Sequence, residues 1–374
     1  MLRFLTAGES HGPSLTAILE GMPAGVSING DEIQRQMRRR QLGYGRGPRM
    51  QFETDTVELL SGIRRGATLG SPITLSIKNK DASIDRLPVV TQPRPGHADL
   101  TGAIKYDHRD IRNVLERASA RETAARVAVG AVCRQLLSPL GIELASHVTA
   151  LGSVRTKPTN VTIAQLRAKA EPTSLRCLDA QATKRMMRLI DAAVKAGDTL
   201  GGVFEMVVEG VPLGLGSHVH YDRRLDAILG RAILSIHAVK AVEIGDGVEG
   251  AALAGSKVQD EIFYTKGKGF HRSQNRAGGF EGGMTTGQPI IVRGFLKPLS
   301  TLRKPLRSVE INTKRPVVAT VERSDVTTVP AAGVVGEAMI AFELARAVLE
   351  KFGGDSLREL QRNYQNYLKQ IHHF

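Results

Sequence analysis

The alternation of apolar and polar residues predicts a mixture of helices and strands along the whole chain. Ser119 to Glu122 has the S-x-x-E form of a capping box, and the apolar-rich run after it predicts a helix ending near Leu137. Asp31 and Asp355 are candidate caps of two other helices, and Gly197 is a typical residue to follow a helix end. Further helices are predicted over 31–41, 182–196, 223–236, 331–352 and 355–370, and strands over 56–63, 73–78, 203–208 and 290–295. Interspersed helices and strands indicate an α+β or βαβ layout.

The chain also contains an internal similarity. Residues 7–25 and 196–214 share seven of nineteen positions without gaps, and residues 65–73 and 282–290 share five of nine. The two segments occur in the same order, which predicts a duplication with a pseudo-two-fold axis. We expect a single domain over 1–374, with halves of roughly 1–140 and 196–330 and C-terminal helices over 331–371. Chance similarity of glycine-rich turns is the alternative, and His11 in the first copy corresponds to Leu200 in the second.

Composition and charge limit the possible classes of function. The 374 residues are 41% apolar and 24% charged, as in globular proteins, which excludes a disordered or fibrous chain. Lysines and arginines number 51 against 37 acidic residues, so the net charge is +14. This excess favours an anionic partner, which could be a nucleic acid, an acidic membrane or a phosphorylated small molecule.

The cysteines and the most apolar segments indicate a cytoplasmic protein. Cys133 and Cys177 lack the spacing of a disulfide framework and suit a reducing compartment. The first residues contain no apolar core of a secretory signal. The most apolar stretch, 331–349, includes Glu337, Glu343 and Arg346, and it is therefore too polar to cross a bilayer.

Two histidines lie in glycine turns that also contain polar or cationic residues. Ser10 and His11 lie between two glycines, and Arg94 and His97 share the turn RPGHAD. Imidazole is well suited to proton transfer near neutral pH, and glycine allows close approach of a ligand to the backbone. A histidine in an ordinary turn is the alternative interpretation of each motif.

Arginines are concentrated in one segment and at one predicted helix start. Residues 38–49 contain five arginines in twelve positions, interleaved with glycines. The guanidinium fork matches phosphate and carboxylate groups, although a solvated helix face would also explain the first three. Arg117 and Arg121 flank the helix start at Ser119, where free N–H groups favour anions.

The second half contains a further candidate anion site and a candidate base. A glycine loop at 278–283 is followed by a predicted strand and then by the turn Lys297–Thr301. A turn of this composition, with lysine, serine and threonine, can bind a phosphate. The pattern fits neither a P-loop nor a dinucleotide-binding fingerprint. Asp325 follows Arg323 closely, and in a cationic pocket it would stay ionised and could act as a base.

Two other classes of site are disfavoured by the sequence. His218 and His220 are two residues apart but no third ligand follows, so no metal site is predicted. Single-strand nucleic-acid binders need aromatic rings between basic residues, and Tyr44 is the one aromatic residue in the richest basic stretch. Histidines framed by arginines instead favour an enzyme whose small-molecule substrate has several anionic groups.

These motifs, taken in order, resemble the chorismate synthase family over essentially the whole chain. The segments that carry the resemblance are 6–13 (TAGESHGP), 38–50 (RRRQLGYGRGPRM), 94–99 (RPGHAD), 115–123 (LERASARET), 278–289 (GGFEGGMTTGQP), 297–301 (KPLST), 322–325 (ERSD) and 330–333 (PAAG). The resemblance implies an α+β fold, a βαβ sandwich with internal pseudo-two-fold duplication, assembled as a homotetramer.

The resemblance also implies a reaction and a cofactor. The expected activity is a carbon–oxygen lyase reaction, an anti-1,4-elimination of phosphate from 5-enolpyruvylshikimate 3-phosphate. The product, chorismate, completes the last common step of the shikimate pathway of aromatic amino acid biosynthesis. Reduced FMN is required without net redox change, and NADPH is expected only indirectly, through an external flavin reductant, since no separate reductase domain is visible.

Residue roles follow from the same resemblance. His11, with Ser10 beside it, is expected to be the acid for phosphate departure, His97 to manage the proton on reduced flavin, and Asp325 to assist hydrogen removal. The expected substrate-binding residues are Arg40, Arg46, Arg49, Arg94 and Arg121. The expected flavin-binding residues are Ser119, Ala120, Arg121, His237, Ala238, Gly282, Lys297, Pro298, Leu299, Ser300, Thr301 and Arg323.

One departure and two alternatives accompany this interpretation. His237-Ala238 stands where Asn-Ala is common in the family, so the flavin contact there can differ. A basic nucleic-acid-binding protein without catalysis predicts steep salt-dependent binding to polynucleotide. An FMN-dependent oxidoreductase predicts stoichiometric loss of reduced flavin.

Overall fold

The structure is a computed structural model that describes residues 1–47, 54–157, 160–322 and 324–374. The strands are β1 Arg3–Ala7, β2 Ser14–Glu20, β3 Val57–Leu59, β4 Ile63–Arg64, β5 Ala67–Thr68, β6 Ile73–Lys78, β7 Glu143–Leu151, β8 Val154–Arg155, β9 Gly202–Glu209, β10 Val239–Ile244, β11 Ile262–Thr265, β12 Gly269–Arg272, β13 Phe280–Glu281, β14 Met284–Thr285, β15 Ile290–Leu296, β16 Arg307–Val309 and β17 Pro316–Val318. The helices are α1 Gly30–Gln41, α2 Asp99–Tyr106, α3 Arg112–Leu115, α4 Thr123–Leu137, α5 Ile163–Gln165, α6 Ala180–Ala196, α7 Leu225–Leu234, α8 Gly247–Gly250, α9 Gly255–Val258, α10 Val329–Phe352 and α11 Leu357–His373.

Two antiparallel sheets enclose a central layer of helices. The strand order is β1-β2-β6-β3 in the first sheet and β10-β15-β9-β7-β8 in the second. Alternate side chains of β2 and β6, such as Leu15, Leu19 and Leu75, are fully buried on the face that α4 covers. α10 covers β7 and β9 and packs along α4, which places the helices between the sheets as in the predicted sandwich.

The two central helices approach each other closely because small residues line their contact. A side-chain Cβ at Gly130 of α4 would lie 2.3 Å from the Cβ of Ala338 of α10, so only glycine fits there. α10 is buried along most of its length, which agrees with its apolar sequence. Among the described residues, every helix is too short or too polar to cross a lipid bilayer.

The predicted helices are present, with ends that differ by a few residues. α6 begins at Ala180 because the Asp179 side chain accepts N–H hydrogen bonds of the first turn, and it ends before Gly197, which has a φ of 70°. α1 is capped by Asn29 and not by Asp31, since the Asn29 side chain accepts the Asp31 N–H. The single strand predicted over 56–63 is divided between β3 and β4.

The capping box predicted at the start of α4 does not form. Ser119 Oγ accepts the N–H of Arg121 at 3.3 Å and begins a short 3-10 turn, so that α4 starts at Thr123. Glu122 instead accepts a hydrogen bond from Thr6 Oγ1 at 2.8 Å. A tertiary contact with β1 therefore replaces the local contact that the sequence pattern predicts.

The predicted duplication is visible in the strand pairing. Leu19 of β2 lies opposite Ile73 of β6, and Val208 of β9 lies opposite Ile290 of β15. These pairs occupy corresponding positions in the two similar segments. The pairing of β2 with β6 and the pairing of β9 with β15 therefore have the same register.

The turns of the two copies also contain the same hydrogen bonds. Thr68 Oγ1 donates to the Pro23 carbonyl at 2.5 Å, and Thr285 Oγ1 donates to the Pro212 carbonyl at 2.6 Å. Because β7 pairs with β9 as β1 pairs with β2, the correspondence begins near residue 143, before the predicted second half. The division into halves at 140 and 196 stays a prediction.

Candidate active site

A cavity of about 770 Å³ lies where loops of both repeats meet. Ser10 and His11 enter it from the loop after β1, whereas Lys297 and Ser300 enter it from the turn after β15. Small-molecule sites typically occupy about 300–1,000 Å³. The cavity therefore lies in the upper part of the range of small-molecule sites.

His11 is held by a buried carboxylate. Its Nδ1 lies 2.8 and 3.0 Å from the two oxygens of Glu116, which also accepts the backbone N–H of His11 at 2.9 Å. Arg112 donates to the same carboxylate at 3.2 Å. Burial alone raises the pKa of Glu116, but hydrogen bonds and the charge of His11, with Arg112, outweigh burial and hold this pKa below its usual range. Glu116 is therefore ionised, and His11 Nε2 lies on the side of Asp81, at 4.0 Å from its Oδ2, on the cavity wall.

His97 is held in the same way by Asp99. The Nδ1 of His97 lies 2.5 Å from Asp99 Oδ1, and the Asp99 side chain is fully buried. Arg94 donates to both Asp99 oxygens, from Nε at 2.8 Å and from Nη2 at 3.0 Å. Although burial raises the pKa of Asp99, its hydrogen bonds to His97 and Arg94 lower the pKa well below its usual value. His11 and His97 thus each have an ionised carboxylate at Nδ1 and an arginine behind that carboxylate.

Arg40 and Arg121 flank one buried carboxylate, Asp55. Each guanidinium donates to a different oxygen of Asp55. Within the described part of the chain, two guanidinium cations thus contact one carboxylate in a buried position. Burial lowers the pKa of Arg40, and the attraction of Asp55 opposes this while the nearby charges of Arg121 and Arg46 add to it. An anionic ligand would relieve that repulsion, which favours phosphate or carboxylate binding here.

The predicted base Asp325 lies beside a predicted substrate arginine. Asp325 Oδ1 accepts the Gly47 N–H at 2.5 Å, and its Oδ2 lies 3.6 Å from Arg46 Nη1. The loop after α1 and the segment before α10 are joined by these contacts. The predictions for Arg49 and Arg323 lie outside the described residues.

Residues of the turn Lys297–Thr301 hold the His97 turn in place through hydrogen bonds. Lys297 Nζ donates to the Gly96 carbonyl at 2.7 Å, as does Ser300 Oγ at 2.8 Å. Arg94 Nη1 donates to Thr301 Oγ1 at 2.9 Å. The Arg94 donors are thus engaged within the protein, so the contacts favour a role in holding the His97 turn.

His237 and Ala238 form the turn between α7 and β10 on the cavity wall. Burial lowers the pKa of His237, although Glu122 opposes this, so its imidazole is neutral near pH 7. His237 Nδ1 is buried without a hydrogen-bond partner among the described residues. Ala238 has a φ of 66°, a left-handed conformation unusual for alanine, and its carbonyl accepts the Lys297 N–H at 2.9 Å.

Most of the predicted site residues within the described part of the chain converge on this cavity. Those that line it are Ser10, His11, Arg40, Arg46, Arg94, His97, Ser119, Ala120, Arg121, His237, Ala238, Lys297, Leu299, Ser300, Thr301 and Asp325.

Two predicted flavin residues, Gly282 and Pro298, are absent from the described cavity wall. Gly282 and Gly283 form the two-residue turn between β13 and β14, with φ of 58° and 82°. Such a hairpin turn requires positive φ at both positions, which explains the glycines without a ligand. Pro298 is exposed at the surface.

The sequence did not single out the residues that hold the catalytic candidates. Glu116 and Asp99 lie inside the motifs LERASARET and RPGHAD, but nothing in their spacing indicates a histidine partner. Glu116 is 105 positions from His11, and Asp55 is 66 positions from Arg121. Contacts this distant in sequence arise only from the tertiary fold.

Comparison with known proteins identifies the family of this site. The family model described as chorismate synthase matches residues 2–349. The chain belongs to the chorismate synthase family. It is similar to a chorismate synthase of Desulforamulus reducens, with 56% identity over 99% of this chain and 100% of that one. It is also similar to a protein named chorismate synthase 2 of Bacillus cereus, with 54% identity over the same shares of the two chains.

A solved structure agrees with the fold. A crystal structure of chorismate synthase superimposes with a TM-score of 0.83 and 45% identity, covering 100% of this chain and 99% of that chain. The predicted family and the predicted α+β fold are confirmed. Family membership makes the chain an enzyme, a lyase of the shikimate pathway, and it implies a phosphorylated small-molecule substrate and a flavin cofactor.

Proposed function

We propose that this cavity converts 5-enolpyruvylshikimate 3-phosphate into chorismate and phosphate, with reduced FMN as the flavin. The observation that carries the proposal is the convergence of two carboxylate-backed histidines and an arginine cluster on one cavity, in a chain of this family. The elimination breaks the C–O bond to phosphate and a C–H bond at the far end of a 1,4 system. One ring double bond is gained and the hydrogen leaves overall as a proton, so no net oxidation occurs.

The phosphate end of the substrate is assigned to the first repeat. Arg40 and Arg121 both donate to Asp55 in the cavity wall, and Arg46 has a buried Nε without a hydrogen-bond partner among the described residues. These cations bind phosphate and carboxylate groups and stabilise charge on the departing phosphate. His11, held at Nδ1, donates a proton from Nε2 to that phosphate, and Ser10 lies beside it.

The flavin is assigned to the wall formed by the second repeat and the turn before α4. The buried Nδ1 of His237, which has no partner among the described residues, fits a polar ligand, and the Lys297 ammonium adds a cationic donor to the same cavity. Burial and the charge of Lys240 lower the pKa of Lys297. When bound, reduced flavin supplies transient electron density for the loss of phosphate and takes part in removal of the hydrogen.

Hydrogen removal is assigned to Asp325 and His97, which both line the cavity. Asp325 Oδ1 accepts the Gly47 N–H at 2.5 Å and its Oδ2 lies 3.6 Å from Arg46 Nη1, and these contacts hold the carboxylate proposed as the proton acceptor in place. His97, fixed by Asp99, holds a proton near the flavin wall because its turn is fastened to Lys297 and Ser300.

The source of reduced flavin, the oligomeric state and the cellular compartment complete the proposal. We expect an external reductant to keep the flavin reduced, so that NADPH acts only indirectly, and we expect a homotetramer in the cytoplasm. The net charge of +14 supports a substrate with several anionic groups by steering it to the cavity.

The testing experiment is an anaerobic assay with 5-enolpyruvylshikimate 3-phosphate and chemically reduced FMN. We expect chorismate and phosphate to form in large excess over flavin. Stoichiometric loss of reduced flavin would instead support a net oxidoreductase. Bound ligands without any product would overturn the proposed reaction.

Two variants test the residue roles in the same assay. His11→Ala and His97→Ala should each lower turnover by roughly 10²–10⁴-fold, which is the usual contribution of general acid–base catalysis. The control is His220→Ala, because His220 is exposed and is not among the residues lining the cavity. Near-normal turnover of either cavity variant would remove that histidine from the mechanism.

A further inference from the structure

We propose that Glu116 and Asp99 are positioning residues, each holding one cavity histidine with its hydrogen on Nδ1 so that Nε2 exchanges the proton. The proposal rests on the proposed function, since it concerns the histidines assigned to acid–base chemistry there. Neither carboxylate emerged as a candidate from the sequence. Asp99 lies in the motif RPGHAD, which also contains His97. Glu116 lies in the motif LERASARET and contacts His11.

The contacts of Glu116 fix both the ring and the backbone of His11. Its two oxygens lie 2.8 and 3.0 Å from Nδ1, one of them accepts the His11 N–H, and its carbonyl accepts the Ser10 N–H at 3.0 Å. An ionised carboxylate can only accept hydrogen bonds. The hydrogen between Glu116 and His11 therefore belongs to Nδ1, and Nε2 remains on the side of the cavity.

Arg112 keeps the Glu116 carboxylate in place. It donates to Glu116 at 3.2 Å and to Glu322 at 3.3 Å, and its Nε donates to the Pro88 carbonyl at 2.7 Å. Glu322 lies in the segment that leads to Asp325. The His11 side and the Asp325 side of the cavity are thus connected through one arginine.

At His97 the same conclusion follows from a competition for Nδ1. Arg94 Nη2 lies 3.2 Å from Nδ1 and Asp99 Oδ1 lies 2.5 Å from it. Arg94 Nη2 also donates to Asp99 Oδ1 at 3.0 Å, so its hydrogen has an ionised acceptor. The shorter contact is to the group that can only accept, which assigns the Nδ1 hydrogen to the bond with Asp99.

The position of this hydrogen decides what each histidine can do. A neutral imidazole with its hydrogen on Nδ1 has its lone pair on Nε2, and the protonated ring can donate from Nε2. The nearby carboxylate charge also stabilises the imidazolium that acid catalysis needs. An amide in its place can donate to Nδ1 and thereby move the hydrogen to Nε2.

Glu116→Gln and Asp99→Asn test the proposal, with two readouts. Magic-angle-spinning ¹⁵N NMR of histidine-labelled protein reports which ring nitrogen carries hydrogen, independently of turnover. We expect a change of tautomer or of titration at the affected histidine, and a kcat lowered about 10- to 100-fold with KM changed much less. In Glu116→Gln the alkaline limb of the kcat profile should move to lower pH, because the imidazolium loses the charge of Glu116 at Nδ1 while Asp81 stays 4.0 Å from Nε2.

The matched control is Glu205→Gln. Glu205 bonds His147 Nε2 at 2.9 Å in a buried pair that does not line the cavity within the described residues. We expect a changed ¹⁵N signal from His147 with unchanged kcat and pH profile. If Glu205→Gln lost as much kcat as Glu116→Gln, the loss in both variants would come from lower stability of the protein and not from the position of a cavity histidine. That result would overturn the proposal.

A second variant separates misfolding from loss of position. Glu116→Asp keeps the charge, and we expect it to restore the alkaline limb even where kcat stays low. Unchanged tautomers, or a normal pH profile in a folded Glu116→Gln, would overturn the positioning role. Absence of product from the unmodified chain would overturn the proposed function instead, while the ¹⁵N spectra still test the hydrogen positions.

Discussion

At position 237 the chain presents an imidazole to the cavity with its Nδ1 buried and without a partner among the described residues. If this atom binds the flavin, His237→Ala should weaken FMN binding about two- to tenfold, since a hydrogen bond contributes about 0.5–1.5 kcal/mol. His237→Asn should keep most of the affinity because the amide can still donate or accept. The measurement is a fluorescence titration of oxidised FMN, with the exposed His220→Ala as control. An unchanged Kd in His237→Ala would show that the imidazole is not a flavin contact.

Single residues also show how far the sequence predicts this site. His11, His97 and the arginines could be found because glycine turns and unusual local composition mark them. Asp55 and Glu116 could not, because an isolated carboxylate in a sequence has no local signal. Their importance comes from burial beside cations, which the fold alone creates.

At the scale of elements, the turn before α4 combines a structural role with a proposed binding role. Ser119 Oγ accepts the Arg121 N–H at 3.3 Å, and Ser356 Oγ accepts the Glu359 N–H at 3.3 Å before α11. Ser119→Ala and Ser356→Ala should each destabilise the protein by about 1 kcal/mol, the usual contribution of such a cap. Thermal unfolding measures this loss in both variants.

Ligand binding then distinguishes the two caps. Ser119 lines the cavity and Ser356 is not among the residues that line it, so only Ser119→Ala should also weaken FMN binding. Equal affinities in both variants would reduce Ser119 to a structural cap. Weakened binding in Ser356→Ala would mean that general destabilisation affects the site.

Helices and strands could be predicted where the sequence pattern that marks them is local. They were predicted less well where they depend on contacts with residues distant in sequence. α6 has an amphipathic sequence followed by Gly197, and its end was predicted correctly. β7 was not predicted, because it is buried on almost every position and therefore lacks the alternation of a half-exposed strand. The capping box failed because Thr6 competes for Glu122.

At the scale of the whole molecule, one buried glutamate joins helix α10 to helices α1 and α4 of the first repeat. Glu337 of α10 accepts hydrogen bonds from Arg39 of α1 and Arg134 of α4, at 2.7 and 2.8 Å, and from Arg176 at 3.1 Å. Burial opposes its ionisation, but the charges of these arginines outweigh burial and hold the pKa of Glu337 well below its usual value. The central layer of helices therefore contains a charged centre among α1, α4 and α10.

This centre predicts how stability depends on pH. A carboxyl group whose pKa is lower in the folded than in the unfolded protein stabilises the fold fully above the unfolded value of about 4.3. That contribution is lost as pH falls through the folded pKa, so the free energy of unfolding should fall steadily below about pH 5. Glu337→Gln should lower stability by about 3 kcal/mol at neutral pH, because three buried arginines lose the charge of Glu337, although Glu171 still pairs with Arg39 and Arg176. It should also flatten the acid limb, since the titrating group is gone.

Urea unfolding between pH 3 and pH 7 measures both effects, with the exposed Glu58→Gln as control, for which about 0–1 kcal/mol is expected. An acid limb in Glu337→Gln as steep as in the unmodified chain would assign the pH dependence to the other buried carboxylates, Asp55, Asp99 and Glu116.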